Sequence, residues 1–156
     1  MRRQGFTLIE MLVILALIGI IGGIAFNSWL GASQRGLVRQ AATQIAADLE
    51  RVRSGARRYN GDALFTREDA LNYTLVTNGV SSAIPLPDGT ETSVQSGTLT
   101  AGKLVVTYTA PNAELNMLSV TTPPELKVSL TNQPSVPPIY VKVIGVTGKV
   151  VLSANP

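Results

Sequence analysis

Gly5-Phe6-Thr7-Leu8-Ile9-Glu10-Met11-Leu12-Val13 opens the apolar run that decides how this chain is built. From Phe6 to Phe26 there are 21 residues with one ionisable side chain, Glu10, and one hydroxyl, Thr7. Coiled as a helix at about 1.5 Å per residue, the run measures roughly 31 Å, close to a hydrocarbon core of about 30 Å. The run predicts one membrane span. Trp29, just beyond it, stands where an interfacial aromatic sits.

Arg2 and Arg3 ahead of the run also suit a cleavable secretory signal. Such a signal has an apolar region of about 7 to 15 residues closed by a small-x-small site. Here the run is longer, and cuts after Gly31 or Ala32 put Trp29 or Leu30 at the upstream small position. A retained span fits better. Arg2 and Arg3 on one flank are balanced by Arg35 and Arg39 on the other, so basic residues alone do not orient it. The amino terminus breaks the tie and is expected to face the cytoplasm.

Glu10 is the costly residue. Comparable charges at the centre of a span cost about 2.5 to 3.5 kcal/mol on insertion scales, so an intramembrane carboxylate usually has a partner. Two roles are open to it on position alone: it snorkels to the nearby interface, or it meets a cation.

The length of 156 residues, 16.5 kDa, is one domain's worth. Cysteine and histidine are both absent, which removes disulfides, thiol nucleophiles, imidazole bases and the zinc sites that need them. The net charge of +3 is unevenly spread: Arg2 and Arg3 give +2, residues 6–32 give −1, residues 33–67 give +4 and residues 68–156 give −2. All nine prolines fall from Pro85 onward, so the chain has two compositional halves.

With its basic leader, the stretch from Gly5 to Val13 resembles the class III signal of type IV pilins and of the pseudopilins of type II secretion. The resemblance implies an α+β pilin fold: a long N-terminal helix, membrane-spanning in its first half, packed on a small antiparallel β-sheet. It also implies that a prepilin peptidase cuts between Gly5 and Phe6 on the cytoplasmic side and N-methylates the new Phe6 amine. In that family the glutamate matching Glu10 is thought to meet the N-terminal amine of a neighbouring subunit as helices join the filament. A carboxylate in low dielectric then finds the ammonium that cleavage creates, and losing one partner of such a buried pair costs about 3 to 5 kcal/mol. Loss of Arg2 and Arg3 brings the net charge from +3 to +1.

The partners implied are prepilin peptidase, other pilin or pseudopilin subunits, an inner-membrane assembly platform and membrane lipid. The expected location is a single-pass inner-membrane protein with its globular part outside the cytoplasm, taken up into a pilus or pseudopilus. Gly19, Gly22 and Gly23 weaken the helix, at about 1 kcal/mol each relative to alanine. Gly19 and Gly23 also form a GxxxG spacing, which permits close helix approach. Many pilins carry proline where Asn27 stands, so local melting of the helix is left open here.

From Ser33 to Arg58, Leu37, Val38, Ala41, Ala42, Ile45, Leu49, Val52 and Ala56 recur at spacings of three and four, predicting an amphipathic helix with one buried face. Asp48 with Arg51 and Glu50 with Arg53 are i, i+3 pairs expected on its surface. Tyr59-Asn60-Gly61-Asp62 predicts the stop. The expected organisation is a leader over 1–5, a transmembrane or filament-core helix over 6–30, an amphipathic helix over 31–58 and a β-rich head over 59–156. Seven arginines between Arg35 and Arg67 make a basic stripe of the kind that binds nucleic acid or anionic lipid. Asp48, Glu50 and Asp62 offset three of them, and a solvated face accounts for the rest.

Thr66-Arg67-Glu68-Asp69 resembles a capping box, predicting a short helix near residues 67–73. Tyr73–Thr77, Lys103–Thr109, Leu126–Leu130, Ile139–Ile144 and Lys149–Leu152 predict strands of one small antiparallel sheet. Residues 85–89 and 134–138 are proline-rich loops, and Gly145-Val146-Thr147-Gly148 predicts a hairpin. The β-rich part, ending in Gly148-Lys149-Val150, resembles the FimT and pseudopilin H group. Some FimT-like proteins bind DNA through arginines around that last turn. Here only Lys149 is basic, so DNA is a possible partner that the sequence does not support.

Gly97 to Lys103 has the G-x4-GK spacing of a phosphate loop, but Leu104 stands where a hydroxyl is needed and a strand pattern follows. Asp88-Gly89-Thr90-Glu91 is too poor in carboxylates for a calcium loop. Asn72-Tyr73-Thr74 matches a short glycosylation pattern. No catalytic residue, metal site or cofactor is expected, and a structural role outranks an enzymatic one. The alternatives are a pilus-associated DNA receptor for natural transformation and a free-standing single-span surface protein.

Overall fold

The computed structural model describes residues 7–97, 99–116 and 122–156, and it divides the chain into two units, residues 1–34 and 35–156. Arg2, Arg3, Gly5, Phe6 and Thr98 lie outside the described residues. One helix, α1, spans Leu8–Tyr59 and includes Gly19 to Asn27, where weakening was left open.

The helix ends as its sequence predicts. Asn60 takes the left-handed conformation with φ 49, and the Gly61 amide returns to the Ala56 carbonyl at 3.3 Å. That six-to-one bond caps a carbonyl that the last turn leaves unpaired, and asparagine replaces the usual glycine at the left-handed position.

Within residues 35–156, Val38, Ala41, Ala42, Ile45, Leu49, Val52 and Ala56 are essentially fully buried, as their spacing predicts. Leu37 is a correction: it is exposed, lying one position outside the three-four seam. Asp48 is another. Its pairing with Arg51 is present at 2.9 Å, but the carboxylate is buried rather than on the surface. Glu50 and Arg53 pair at 3.3 Å.

Among the described residues ten strands follow: β1 Ala63–Arg67, β2 Asn72–Thr77, β3 Val80–Pro85, β4 Thr90–Ser96, β5 Leu99–Thr100, β6 Lys103–Thr109, β7 Glu114–Leu115, β8 Glu125–Leu130, β9 Ile139–Ile144 and β10 Lys149–Ser153. They form two antiparallel sheets instead of the single one expected. The first has the order β3-β2-β1-β6-β5 with β7 also on β6, and the second the order β10-β9-β8-β4. Phe65, Tyr73, Leu104, Val106 and Tyr108 from the first sheet and Leu126, Val128, Val141 and Val143 from the second join the helix residues in one core.

The five predicted strands are all present, and the β9–β10 hairpin turns through Gly145 to Gly148 with a 3.0 Å backbone bond between those two glycines. The helix expected near residues 67–73 is absent. There Asp69 Oδ1 accepts from the Leu71 and Asn72 amides at 2.7 and 2.8 Å, turning β1 back into β2. Aspartate gives the backbone a local alternative to a helical turn, and β1 pairs on both sides, with β2 and β6, so the ladder wins. Of the phosphate-loop pattern, Leu99-Thr100 is β5 and Lys103 opens β6, joined by a turn at Ala101-Gly102, so a strand and no helix follows the lysine.

Candidate assembly site

Thr7 begins the helix. Its Oγ1 accepts from the Glu10 amide at 3.3 Å, and its carbonyl accepts from the Met11 amide at 3.2 Å. Thr7 is therefore the N-cap, and Glu10 occupies the third helical position, where a carboxylate faces the positive end of the helix dipole. Thr7-Leu8-Ile9-Glu10 has the capping-box spacing that sequence reasoning assigned to Thr66–Asp69. The signal was present, one sequence match earlier than the place it was applied.

Around this end the apolar side chains have no cover within their own unit. Leu8, Ile9, Leu12, Leu15, Ile18, Ile20, Ile21 and Ile24 are all exposed, with Leu8 at 82%. The described residues from Thr7 to Phe26 are exposed without exception. So extensive an apolar surface marks a lipid or protein contact, and the helix is long and apolar enough to cross a membrane. Glu10 is the sole charged side chain between Thr7 and Phe26 and is itself exposed. Phe26 and Trp29 place their rings 6.5 Å apart near the end of the run.

The basic stripe disperses in the globular unit. Arg51 and Arg53 pair with Asp48 and Glu50, Arg57 Nε donates to the Asn112 carbonyl at 2.9 Å, and Arg67 donates to the Thr92 hydroxyl and carbonyl at 3.0 and 2.6 Å. Asp62, expected to offset an arginine, instead accepts from the Ala110 amide at 3.1 Å. Lys149 is exposed at the start of β10. Asn72 of the glycosylation pattern has its side-chain amide on both oxygens of Asp69, at 3.2 and 3.1 Å.

The prokaryotic N-terminal methylation motif matches residues 1–26. Among solved structures, the type IV minor pilin FimU of Pseudomonas aeruginosa strain PAO1 is similar with a TM-score of 0.55 at 14% identity, over 78% of this chain and 91% of that one. A second crystal form of FimU gives 0.52 at 16% identity, over 74% and 91%.

This chain has a pilin fold.

The minor pseudopilin EpsH from the Type 2 Secretion System of Vibrio cholerae has the same pilin fold, with a TM-score of 0.52 at 15% identity over 74% of this chain and 95% of that one. No curated protein matches the sequence at a significant level. The pilin fold places Glu10 and the apolar run on the helix that opens the chain and the β-rich part after it, as the sequence predicts.

Proposed function

We propose that this chain is a structural subunit, a minor pilin or pseudopilin, of a type IV pilus or type II secretion pseudopilus. The observation that carries the reading is the methylation motif over residues 1–26 coinciding with a capped, uncovered apolar stretch of helix whose one charge, up to Phe26, is Glu10. Residues 1–5 are the leader, prepilin peptidase cuts between Gly5 and Phe6, and the Phe6 amine is methylated. The helix holds the subunit as a single span with its amino terminus on the cytoplasmic side. Residues 6–30 then become filament core, and the rest of the helix and the β-rich part form the globular unit.

Glu10 is the assembly residue in this reading. Sitting in the first turn, it stabilises its own helix modestly in the membrane and pairs with a neighbour's N-terminal ammonium on leaving it. Intact-mass spectrometry of the protein from its native host tests the first step. A mature species beginning at methylated Phe6 is expected, and a protein that keeps Met1 and the leader in cells defeats the proposal.

A further inference from the structure

The edge strand β3 is open in two ways at once. The β2–β3 hairpin turns on Asn78-Gly79, with φ 53 and 74, so the flanking pair Thr77 and Val80 exchanges both backbone hydrogen bonds. Alternation along the ladder makes Leu75 with Ser82 and Tyr73 with Ile84 the next bonded pairs. Ser81 and Ala83 therefore point their N–H and C=O groups away from β2, on the side where β3 has no neighbouring strand among the described residues. The free run stops at Pro85, whose carbonyl accepts from Gln44 Nε2 at 3.2 Å.

Edges of this kind are usually blunted by charge, a bulge or a covering segment. The other edges here show such devices: β10 carries Lys149, β5 has two residues, and the Thr92 amide of β4 is taken by the Ala70 carbonyl at 2.8 Å. Strand β3 is Val-Ser-Ser-Ala-Ile-Pro, without a charge, and its register runs unbroken along β2.

Beside that edge lies a groove of about 380 Å³. Leu75, Val80 and Ile84 form its apolar floor, on the sheet face toward the helix, and Arg51 and Arg58 stand on the helix wall. Val80 is 66% exposed, so the floor is uncovered at this end. Arg51 is matched by Asp48, whereas Arg58 lies 5.6 Å from the Tyr59 ring and has no carboxylate partner among the described residues. An added strand would direct alternate side chains into the groove, and the unmatched guanidinium selects a carboxylate among them.

We propose that β3 accepts an extended strand from a different subunit of the filament, bonded to Ser81 and Ala83, with apolar side chains on Val80 and Ile84 and a carboxylate at Arg58. The neighbour's being a filament subunit rests on the function proposed above; the strand site itself does not. A second copy fits poorly, because β3 carries no acid and edge-to-edge pairing would bring two Arg58 side chains toward each other.

The probe is a synthetic six-residue peptide alternating threonine with valine, with one central aspartate on the valine face, titrated into the full-length protein in detergent micelles by fluorescence anisotropy. Saturable binding is expected, about tenfold weaker with lysine in place of the aspartate, and lost when the pairing amides of the peptide are N-methylated. Ala83→Pro removes only an outward N–H and no ladder bond, so it is expected to abolish binding with an unchanged circular dichroism spectrum. Arg58→Glu is expected to reverse the preference toward the lysine peptide. Absence of binding by the aspartate peptide, or equal binding by the Ala83→Pro variant or the N-methylated peptide, overturns the proposal. So does a protein dimer, seen by sedimentation, that Ala83→Pro dissolves. None of these results depends on cleavage at Gly5, so a leader retained in cells counts against the filament reading alone.

Discussion

The Tyr73 hydroxyl donates a 2.6 Å hydrogen bond to the Asp48 carboxylate across the helix–sheet interface. Arg51 holds the other Asp48 oxygen, so the buried acid is paired on both oxygens, and Gln44 Nε2 donates to the Tyr73 hydroxyl at 2.9 Å. Burial, and then the Asp48 hydrogen bond, push the Tyr73 pKa well above its ordinary value, so the hydroxyl stays a donor across the physiological range.

Tyr73→Phe leaves the ring stacked on Phe65, whose centroid is 5.1 Å away, and removes only the hydroxyl. A buried carboxylate that loses a charge-assisted bond costs about 1.5 to 3 kcal/mol. Urea denaturation is expected to show that loss. Tyr73→Phe combined with Asp48→Asn is expected to cost less than the sum of the two changes, since each removes the same bond.

Gly148 has φ 62 and sits against Tyr108, whose hydroxyl donates to the Gly148 carbonyl at 3.1 Å. A Cβ at Gly148 would overlap the Tyr108 ring, whereas one at Gly145, with φ 67, meets nothing within 4 Å. Gly145→Ala is therefore expected to cost about 1 kcal/mol of backbone strain. Gly148→Ala is expected to cost clearly more, and thermal unfolding of the two variants side by side checks the order.

Asp69 is held below the usual aspartate range, first by the Leu71 amide and then by the Asn72 side chain. Glu68 is likewise lowered, chiefly by its bond to Lys103. Folded values below the unfolded ones mean stability that is present above the unfolded pKa and lost as pH falls through the folded one. Urea midpoints are expected to decline from about pH 4 downward. Asp69→Ala lowers stability near neutrality and flattens that acid limb; an unchanged limb would contradict the assignment.

Glu10→Gln keeps the size and polarity of the side chain and removes its charge. If Glu10 answers a neighbour's ammonium, Glu10→Gln and Glu10→Ala are expected to be cleaved normally yet recovered in membranes instead of sheared filaments. Immunoblots of the two fractions read the outcome directly.

Much of this fold was legible because burial and periodicity coincide. The helix seam from Val38 to Ala56 and the strands Lys103–Thr109 and Ile139–Ile144 alternate apolar and polar residues at the period of their element. Strands β3 and β4 escaped because they lie at sheet ends, where hydroxyl-rich sequences such as Val80–Pro85 and Thr90–Ser96 need bury only one flank. Strand β1 escaped because Thr66 and Asp69 carry the same spacing as a helix cap, and only pairing on both sides decides between them. At the candidate site, Glu10 was conspicuous as a lone acid among apolar neighbours. The role of Thr7 was not, because a hydroxyl in such a run has no contrast of charge to draw notice.

The buried seam of the helix begins at Val38, and a Cβ at Gly19, Gly22, Gly23 or Gly36 would touch nothing within 4 Å. Loosening a turn beyond Val38 disrupts the common core, while loosening one near those glycines sacrifices only the backbone bonds of that turn. A pull along the chain is accordingly expected to unwind the glycine-bearing portion before it disturbs the packed remainder.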